Sequence, residues 1–267
     1  MLKQRIFTAI VLVVVVLTAL FLNNPLFWRA LINIAVLIGF WEWLRFCAIT
    51  KMIAKMIAYG VFGGCLYLLQ SGYIAVEIVV YSACVLWLLL LTFTMTNKLD
   101  FFHNSVIKLL LGIAVLSSSG WIIIEFKSIA YGPWWVLCFM ACVWAADVGA
   151  YFVGKRFGKT KLAPQVSPGK TVEGMLGGVA LMLLVYVPVL FYLFNVKAAL
   201  LLLMTLVITT VVSVGGDLFE SKMKRYSGLK DSSQILPGHG GVLDRIDSLL
   251  SGAPFYALGL ILLGYIN

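Results

Sequence analysis

Charged residues are scarce in this sequence, and acidic residues are the scarcest. Only 12% of its 267 residues are charged, 11 residues are Asp or Glu, and 62% are hydrophobic. A soluble globular domain has roughly 25% charged residues. This chain has too little polar surface to cover a water-exposed fold, and it is too apolar to be disordered. The composition therefore predicts that lipid surrounds most of the chain.

Cysteine and histidine are also few, with five Cys and two His. The cysteines lie in or beside apolar runs. Cys138 and Cys142 are one helical turn apart, but no further thiolate or imidazole near them in sequence would complete a metal site. We interpret the cysteines as small apolar packing residues and predict no disulfide framework.

Long apolar runs are the main feature that is present. A transmembrane helix needs about 20 mostly apolar residues, and no run shows the alternation of a lipid-facing barrel strand. The candidate spans are roughly 6–22, 27–44, 53–70, 73–95, 106–124, 132–153, 173–194, 197–216 and 248–266. The first run follows Lys3 and Arg5, as in a signal peptide, but its length and the poor cleavage site at 23–25 favour a retained span. We predict an all-α integral membrane protein with about nine transmembrane helices.

The basic residues orient these spans. If the chain has nine spans, most of its 20 Lys and Arg lie in connections on the same side of the membrane as the N-terminus. The exceptions are Arg29, Lys127 and Lys197. The positive-inside rule then predicts a cytoplasmic N-terminus and an external C-terminus. The net charge of +9 follows from this topology and from contacts with anionic lipid or phosphate, so we do not predict nucleic acid as a partner.

Two long polar segments, 154–172 and 217–247, lie on the predicted cytoplasmic side. We therefore divide the chain into N-terminal transmembrane helices, 1–130, and a catalytic transmembrane region, 131–267, which carries both loops. Carboxylates near a span are costly and tend to mark sites. Seven of the 11 acidic residues lie in or beside the two loops, namely Asp147, Glu173, Asp217, Glu220, Asp231, Asp244 and Asp247.

The spacing of these acids indicates which side chains share a helix face. If the eighth helix continues beyond its apolar run, Asp217, Ser221 and Lys224 or Arg225 fall on one face. Asp244, Asp247 and Ser248 share a face where the ninth helix begins. Two carboxylate faces that meet at one membrane surface would form an oxygen-rich site of the kind that Mg²⁺ prefers.

Cations and glycines are interleaved with the acids. The glycine-rich turn at 237–241 offers backbone amides that can approach phosphate oxygens closely. The cations that would neutralise a polyphosphate are Lys224, Arg225, Lys230 and Arg245. On residue chemistry alone, a solvated loop that anchors to lipid headgroups stays open as the alternative.

The same region resembles a known family. SKMKR at 221–225, KD at 230–231 and LPGHGGVLDRID at 236–247 resemble the signature of the phosphatidate cytidylyltransferases, also called CDP-diacylglycerol synthases. SPGKTVEG at 167–174 and DVGAY at 147–151 are similar to that family as well. The likeness covers roughly residues 140–267, and the first 130 residues match only as apolar spans.

This resemblance implies a reaction in which CTP and phosphatidic acid give CDP-diacylglycerol and pyrophosphate. It also implies Mg²⁺, a homodimer, and a place in the bacterial cytoplasmic (inner) membrane with the active site on the cytoplasmic face. In-line attack of the lipid phosphate on the α-phosphate of CTP would need mainly positioning and charge neutralisation.

Under this hypothesis the carboxylates bind the metal. Asp217 and Asp244 are the first choice as ligands. The expected ligands and their supporting residues are Asp217, Asp244, Asp247, Asp147 and Ser221. Asp147 would be a further ligand or, alternatively, a helix-end partner of Arg156.

The remaining polar residues are expected to bind the substrates. Lys170 and Thr171 resemble a phosphate-contacting pair, although there is no P-loop motif. Asp231 is expected to orient Lys230. His239 would either donate to a phosphate or brace its loop by bonding to a backbone carbonyl. The other residues expected to bind substrate are Arg245, Gly240 and Gly241.

Two glutamates inside spans are given no role. Glu42 is expected to be interfacial or paired with Arg45, and Glu77 to lie near the outer edge.

Among rival functions, a CDP-alcohol phosphatidyltransferase would carry a D-G-x₂-A-R motif, which the sequence lacks. A transporter, the rival from another class, would place its charged site near the midplane of the membrane.

Overall fold

Helices make up nearly all of the chain in the computed structural model, which describes residues 2–95 and 103–266. In chain order they are α1 (Leu2–Phe21), α2 (Pro25–Phe46), α3 (Met52–Gln70), α4 (Val76–Met95), α5 (Ser105–Ser128), α6 (Gly132–Phe157), α7 (Val172–Leu193), α8 (Val196–Tyr226) and α9 (Leu243–Leu262). Of the described helices, α2 to α8 are seven that are long and apolar enough to cross a membrane. The predicted helical membrane architecture is therefore confirmed. The count of nine spans and the orientation stay predictions.

Asparagine side chains fix where several helices begin. Asn24 precedes the proline that starts α2, and its Oδ1 accepts a hydrogen bond from the Leu26 amide at 2.9 Å. Asn104 caps α5 and Asn195 caps α8 in the same way. Each cap satisfies a backbone N–H that the first helical turn leaves without a partner.

The two polar segments are more ordered than the sequence indicated. The predicted loop 217–247 is irregular only over 227–242, because α8 runs on to Tyr226 without a helix breaker and ends near Gly228, whose φ is +68°. In segment 154–172, α6 extends to Phe157. The strands β1 (Lys161–Ala163) and β2 (Ser167–Thr171) then form an antiparallel hairpin. The fold is thus helical with one small hairpin.

Close contacts at glycines pack α8 against α9 and α7 against α6. A Cβ added at Gly216 of α8 would lie 2.0 Å from Ser251 Oγ of α9, and one added at Gly178 of α7 would lie 2.6 Å from the Ala146 carbonyl oxygen of α6. Small residues allow helices in membranes to approach this closely. Gly216 immediately precedes Asp217, so the tight α8–α9 contact draws that carboxylate toward Asp247.

Candidate active site

A polar cavity of about 390 Å³ lies where α6, α8 and α9 meet. Its lining includes carboxylates from all three helices and from the 227–242 loop, together with two cations. These residues are Asp147, Asp217, Asp231, Asp244, Asp247, Lys224 and Arg245. The structure therefore brings together most of the residues that the sequence assigned to catalysis and to metal binding.

Asp217 is held between its own helix and the hairpin. Lys170, on β2, places its Nζ 2.5 Å from Asp217 Oδ2. The same ammonium group donates to the Val214 carbonyl oxygen at 3.3 Å. Ser221 lies one turn beyond Asp217 on α8, and its hydroxyl donates to Asp217 Oδ1 at 3.2 Å. The hairpin thus delivers a cation to the cavity at the end of α8.

Asp244 organises the loop that precedes α9. Its Oδ2 accepts hydrogen bonds from the Ser232 hydroxyl at 2.8 Å, the Ser232 amide at 3.0 Å and the Gly241 amide at 2.8 Å. Its Oδ1 pairs with Lys224 Nζ at 2.6 Å. The Gly241 amide, which was predicted to bind a phosphate, therefore donates a hydrogen bond to Asp244 instead. Gly240 permits this turn with a φ of +83°.

Lys224 lies between two carboxylates. Besides Asp244, its ammonium group is 3.4 Å from Glu220 Oε1, one turn earlier on α8. Both Lys224 and Glu220 are buried. Buried charges need partners of opposite sign, so these two pairs fix the position of the ammonium group at the edge of the cavity.

The carboxylates are suited to binding a divalent cation. Asp147, Asp217 and Asp247 are close enough to repel one another, and a cation between them would relieve that repulsion. Carboxylate oxygens are the ligands that Mg²⁺ takes from proteins. Within residues 2–95 and 103–266, no three acidic, His or Cys side chains already converge at metal-ligand geometry. The donor chemistry therefore fits Mg²⁺, and the side chains would close around it.

Eight predicted site residues do not line the cavity: Lys170, Thr171, Ser221, Arg225, Lys230, His239, Gly240 and Gly241. Arg225 donates to two loop carbonyl groups, at 3.3 and 3.5 Å, because neighbours on a helix project about 100° apart and Lys224 takes the inward direction. Thr171 is buried as the N-cap of α7, where its hydroxyl accepts from the Gly174 amide. Lys230 is exposed, outside the residues that line the cavity.

His239 lies at the boundary between this cavity and an adjoining apolar one. Its side chain lines the apolar cavity, and its buried Nδ1 has no hydrogen-bond partner in the described part of the chain. The His239 carbonyl oxygen accepts from Arg245 Nε at 3.1 Å. The backbone of His239 thus fixes Arg245, whose side chain lines both cavities.

Glu42 is the residue that sequence reasoning missed. It is fully buried on α2, and its carboxylate accepts hydrogen bonds from the Ser233 hydroxyl and from the amides of Val242 at 3.0 Å and Leu243 at 2.6 Å. Arg45 does not pair with it and donates instead to the Ser232 carbonyl oxygen. A carboxylate inside a span is a functional signal in its own right, and the sequence carries that signal at Glu42.

Comparison of the sequence with known proteins identifies the family of this chain. Residues 3–263 match the cytidylyltransferase family, so the chain belongs to that family. It is 39% identical to the phosphatidate cytidylyltransferase of Pseudomonas aeruginosa, over 96% of each chain. It is 36% identical to that of Haemophilus influenzae, over 96% of this chain and 98% of the relative. It is 37% identical to that of Bacillus subtilis, over 95% of each. The family resemblance seen in the sequence signature is confirmed, and it extends over the N-terminal helices as well.

Proposed function

We propose that this chain is a phosphatidate cytidylyltransferase, which converts CTP and phosphatidic acid to CDP-diacylglycerol and pyrophosphate in phospholipid biosynthesis. The observation that carries the proposal is the pairing of Asp217 with Lys170 and of Asp244 with Lys224 at one polar cavity. Such a cavity offers both oxygen ligands for a metal and cations for phosphates. The names of the three relatives supply the substrates.

The chemistry needs the two anionic substrates to be brought together. An oxygen of the lipid phosphate forms a bond to the α-phosphorus of CTP, while the bond from that phosphorus to the pyrophosphate oxygen breaks. The attacking phosphate is already ionised near neutral pH, so no strong base is required. Positioning and neutralisation of charge dominate such reactions.

Each cation has a distinct position for this task. Lys170 and Lys224 are held at different carboxylates of the cavity, Asp217 and Asp244. Arg245 is exposed on the first turn of α9 and can contact a phosphate with two nitrogens. Mg²⁺ held by Asp217, Asp244, Asp247 and Asp147 would polarise the α-phosphate and stabilise the leaving group.

The membrane setting belongs to the same proposal. The chain spans a bacterial cytoplasmic membrane nine times as a homodimer, with the N-terminus and the cavity on the cytoplasmic side. The apolar helices α2 to α8 and the uneven distribution of basic residues support this topology. The cytoplasm is also where CTP is available.

The test uses the full-length protein purified in detergent. Labelled CTP, phosphatidic acid and Mg²⁺ should give a labelled, lipid-soluble product, and omission of any one of them, or a chelator, should abolish it. Absence of product in the complete mixture, with substrate uptake into vesicles that contain the protein, would refute the proposal in favour of a transporter.

A further inference from the structure

A second cavity, of about 340 Å³, adjoins the polar one. Its walls come from α1, α2, α5, α6 and α9 and from the 227–242 loop, and three residues line both cavities: Trp144, Arg245 and Leu249. The volume lies at the lower end of the range for small-molecule sites, about 300–1,000 Å³. The two cavities are therefore adjacent compartments, one polar and one apolar, that share part of their lining.

The walls of the second cavity are mostly aliphatic. Leu12 and Val16 of α1 face Leu31 and Ile32 of α2, with Met140 contributed by α6. A water-filled site would be lined by polar groups that could bond to the water. These walls instead suit a hydrocarbon chain, which needs no hydrogen-bond partner.

Polar side chains mark the boundary between the compartments. Arg245 carries a positive charge, and next to it His239 has a buried Nδ1 without a partner among the described residues. A buried polar nitrogen without a partner is costly, and a phosphate oxygen would relieve that cost. The cavity therefore matches a molecule with an anionic head and an apolar tail, the head directed toward Asp217 and Lys170.

Helix α1 forms a wall that is attached at both ends. The Thr8 hydroxyl donates to the Pro237 carbonyl oxygen at 3.1 Å, next to the site. Near the other end of α1, Lys127 Nζ donates to the carbonyl oxygens of Ala19 at 2.8 Å and Leu22 at 3.0 Å. The helix is thus tied to the glycine-rich turn and to α5, and it encloses the cavity on that side.

We propose that this cavity binds one acyl chain of the lipid phosphate, while Arg245 and His239 hold the phosphate at its polar end. The proposal rests on the proposed function and extends it, because it makes α1 and α2 part of the substrate site. The shared lining of the two cavities and the charge at their boundary select a lipid with a phosphate head over an uncharged lipid or a second copy of the chain.

The test narrows the cavity and measures chain-length preference. Ala35 of α2 lines the cavity, whereas Ala30 of the same helix is exposed elsewhere, so Ala30→Phe is a matched control for Ala35→Phe. Ala35→Phe should raise KM for dipalmitoyl phosphatidic acid about tenfold or more, a typical consequence of lost space in an apolar pocket. The effect should be much smaller for the dihexanoyl lipid, and KM for CTP should not change.

The outcomes separate this proposal from the function on which it rests. A wild-type protein that makes no product would refute the function. An Ala35→Phe variant that keeps the chain-length profile of Ala30→Phe would overturn the acyl site alone, as would an equal loss for both lipids and for CTP. If Ala35→Phe changed only the oligomeric state, the cavity would be assigned to contacts between copies of the chain, and the acyl-site proposal would also be overturned.

A direct binding measurement does not depend on the variant folding. Phosphatidic acid with a photoreactive diazirine near the end of one acyl chain should label wild-type peptides of α1, α2 or α6, and excess unlabelled phosphatidic acid should compete. Labelling confined to the outer faces of α3 or α4 would overturn the proposal.

Discussion

Glu42 provides the sharpest test of how the site is built. Its carboxylate joins α2 to the start of α9 through the Ser233 hydroxyl and the amides of Val242 and Leu243. Asp244 follows these amides by one and two residues. Replacing Glu42 with Ala removes an acceptor from all three donors, so the loop that presents Asp244 should loosen.

The magnitude follows from these contacts. Each buried donor left without a partner costs about 1–3 kcal/mol, and water entering the space of the lost side chain would recover part of that. A net cost of about 3 kcal/mol is therefore reasonable for the two backbone amides of Val242 and Leu243. Since each 1.36 kcal/mol corresponds to about tenfold, up to about a hundredfold loss of kcat/KM is expected. Glu42→Gln keeps one acceptor oxygen and should lose about tenfold.

Hydrogen exchange with mass spectrometry, combined with steady-state kinetics, measures this effect. Peptides covering 232–243 should exchange slowest in the wild type, faster in Glu42→Gln and fastest in Glu42→Ala. The exchange of peptides from α3 should not change. Glu77→Gln, a glutamate in the first turn of α4, is the matched control and should behave as wild type. Wild-type exchange and kinetics in Glu42→Ala would refute the positioning role.

Two further predictions concern the carboxylates and the glycine turn. Asp217→Asn or Asp244→Asn should remove most CTP-dependent activity while the purified protein still elutes as a folded species, and full turnover in either variant would contradict the metal assignment. Gly241→Ala should reduce activity at least about tenfold and lower the melting temperature, because the added Cβ would lie 1.9 Å from Ser232 Oγ. Gly169→Ala, where a Cβ meets nothing within 4 Å, is its control, and equal behaviour of the two would argue against a tightly packed turn.

Local patterns were enough to locate the helices and most of the cavity. Apolar runs of spanning length gave α2 to α8, and helical spacing put Asp217 and Ser221 on one face, where they hydrogen-bond. The apolar runs also put Asp147, Asp217 and Asp247 at the ends of predicted spans, and all three line the cavity. These features depend on residues that are close in sequence or on a common membrane surface.

Contacts between segments that are distant in sequence could not be predicted from such local patterns. Nothing in the neighbourhood of Glu42 shows that it meets Val242, 200 residues away. The direction of Arg225 depends on the packing of α8, and the role of Thr171 depends on how the hairpin joins α7. The apolar cavity likewise arises where five helices and a loop that are distant in sequence pack together.

The central claim is transfer of the cytidylyl group to a lipid phosphate at this cavity. It is tested most directly by giving the wild-type protein phosphatidic acid, Mg²⁺ and CTP labelled either at the α- or at the γ-phosphorus. The account predicts that the α-label enters the lipid-soluble product and that the γ-label is released as pyrophosphate. Asp217→Asn should remove most of both. Transfer of the γ-label to lipid, or no transfer of the α-label, would contradict it.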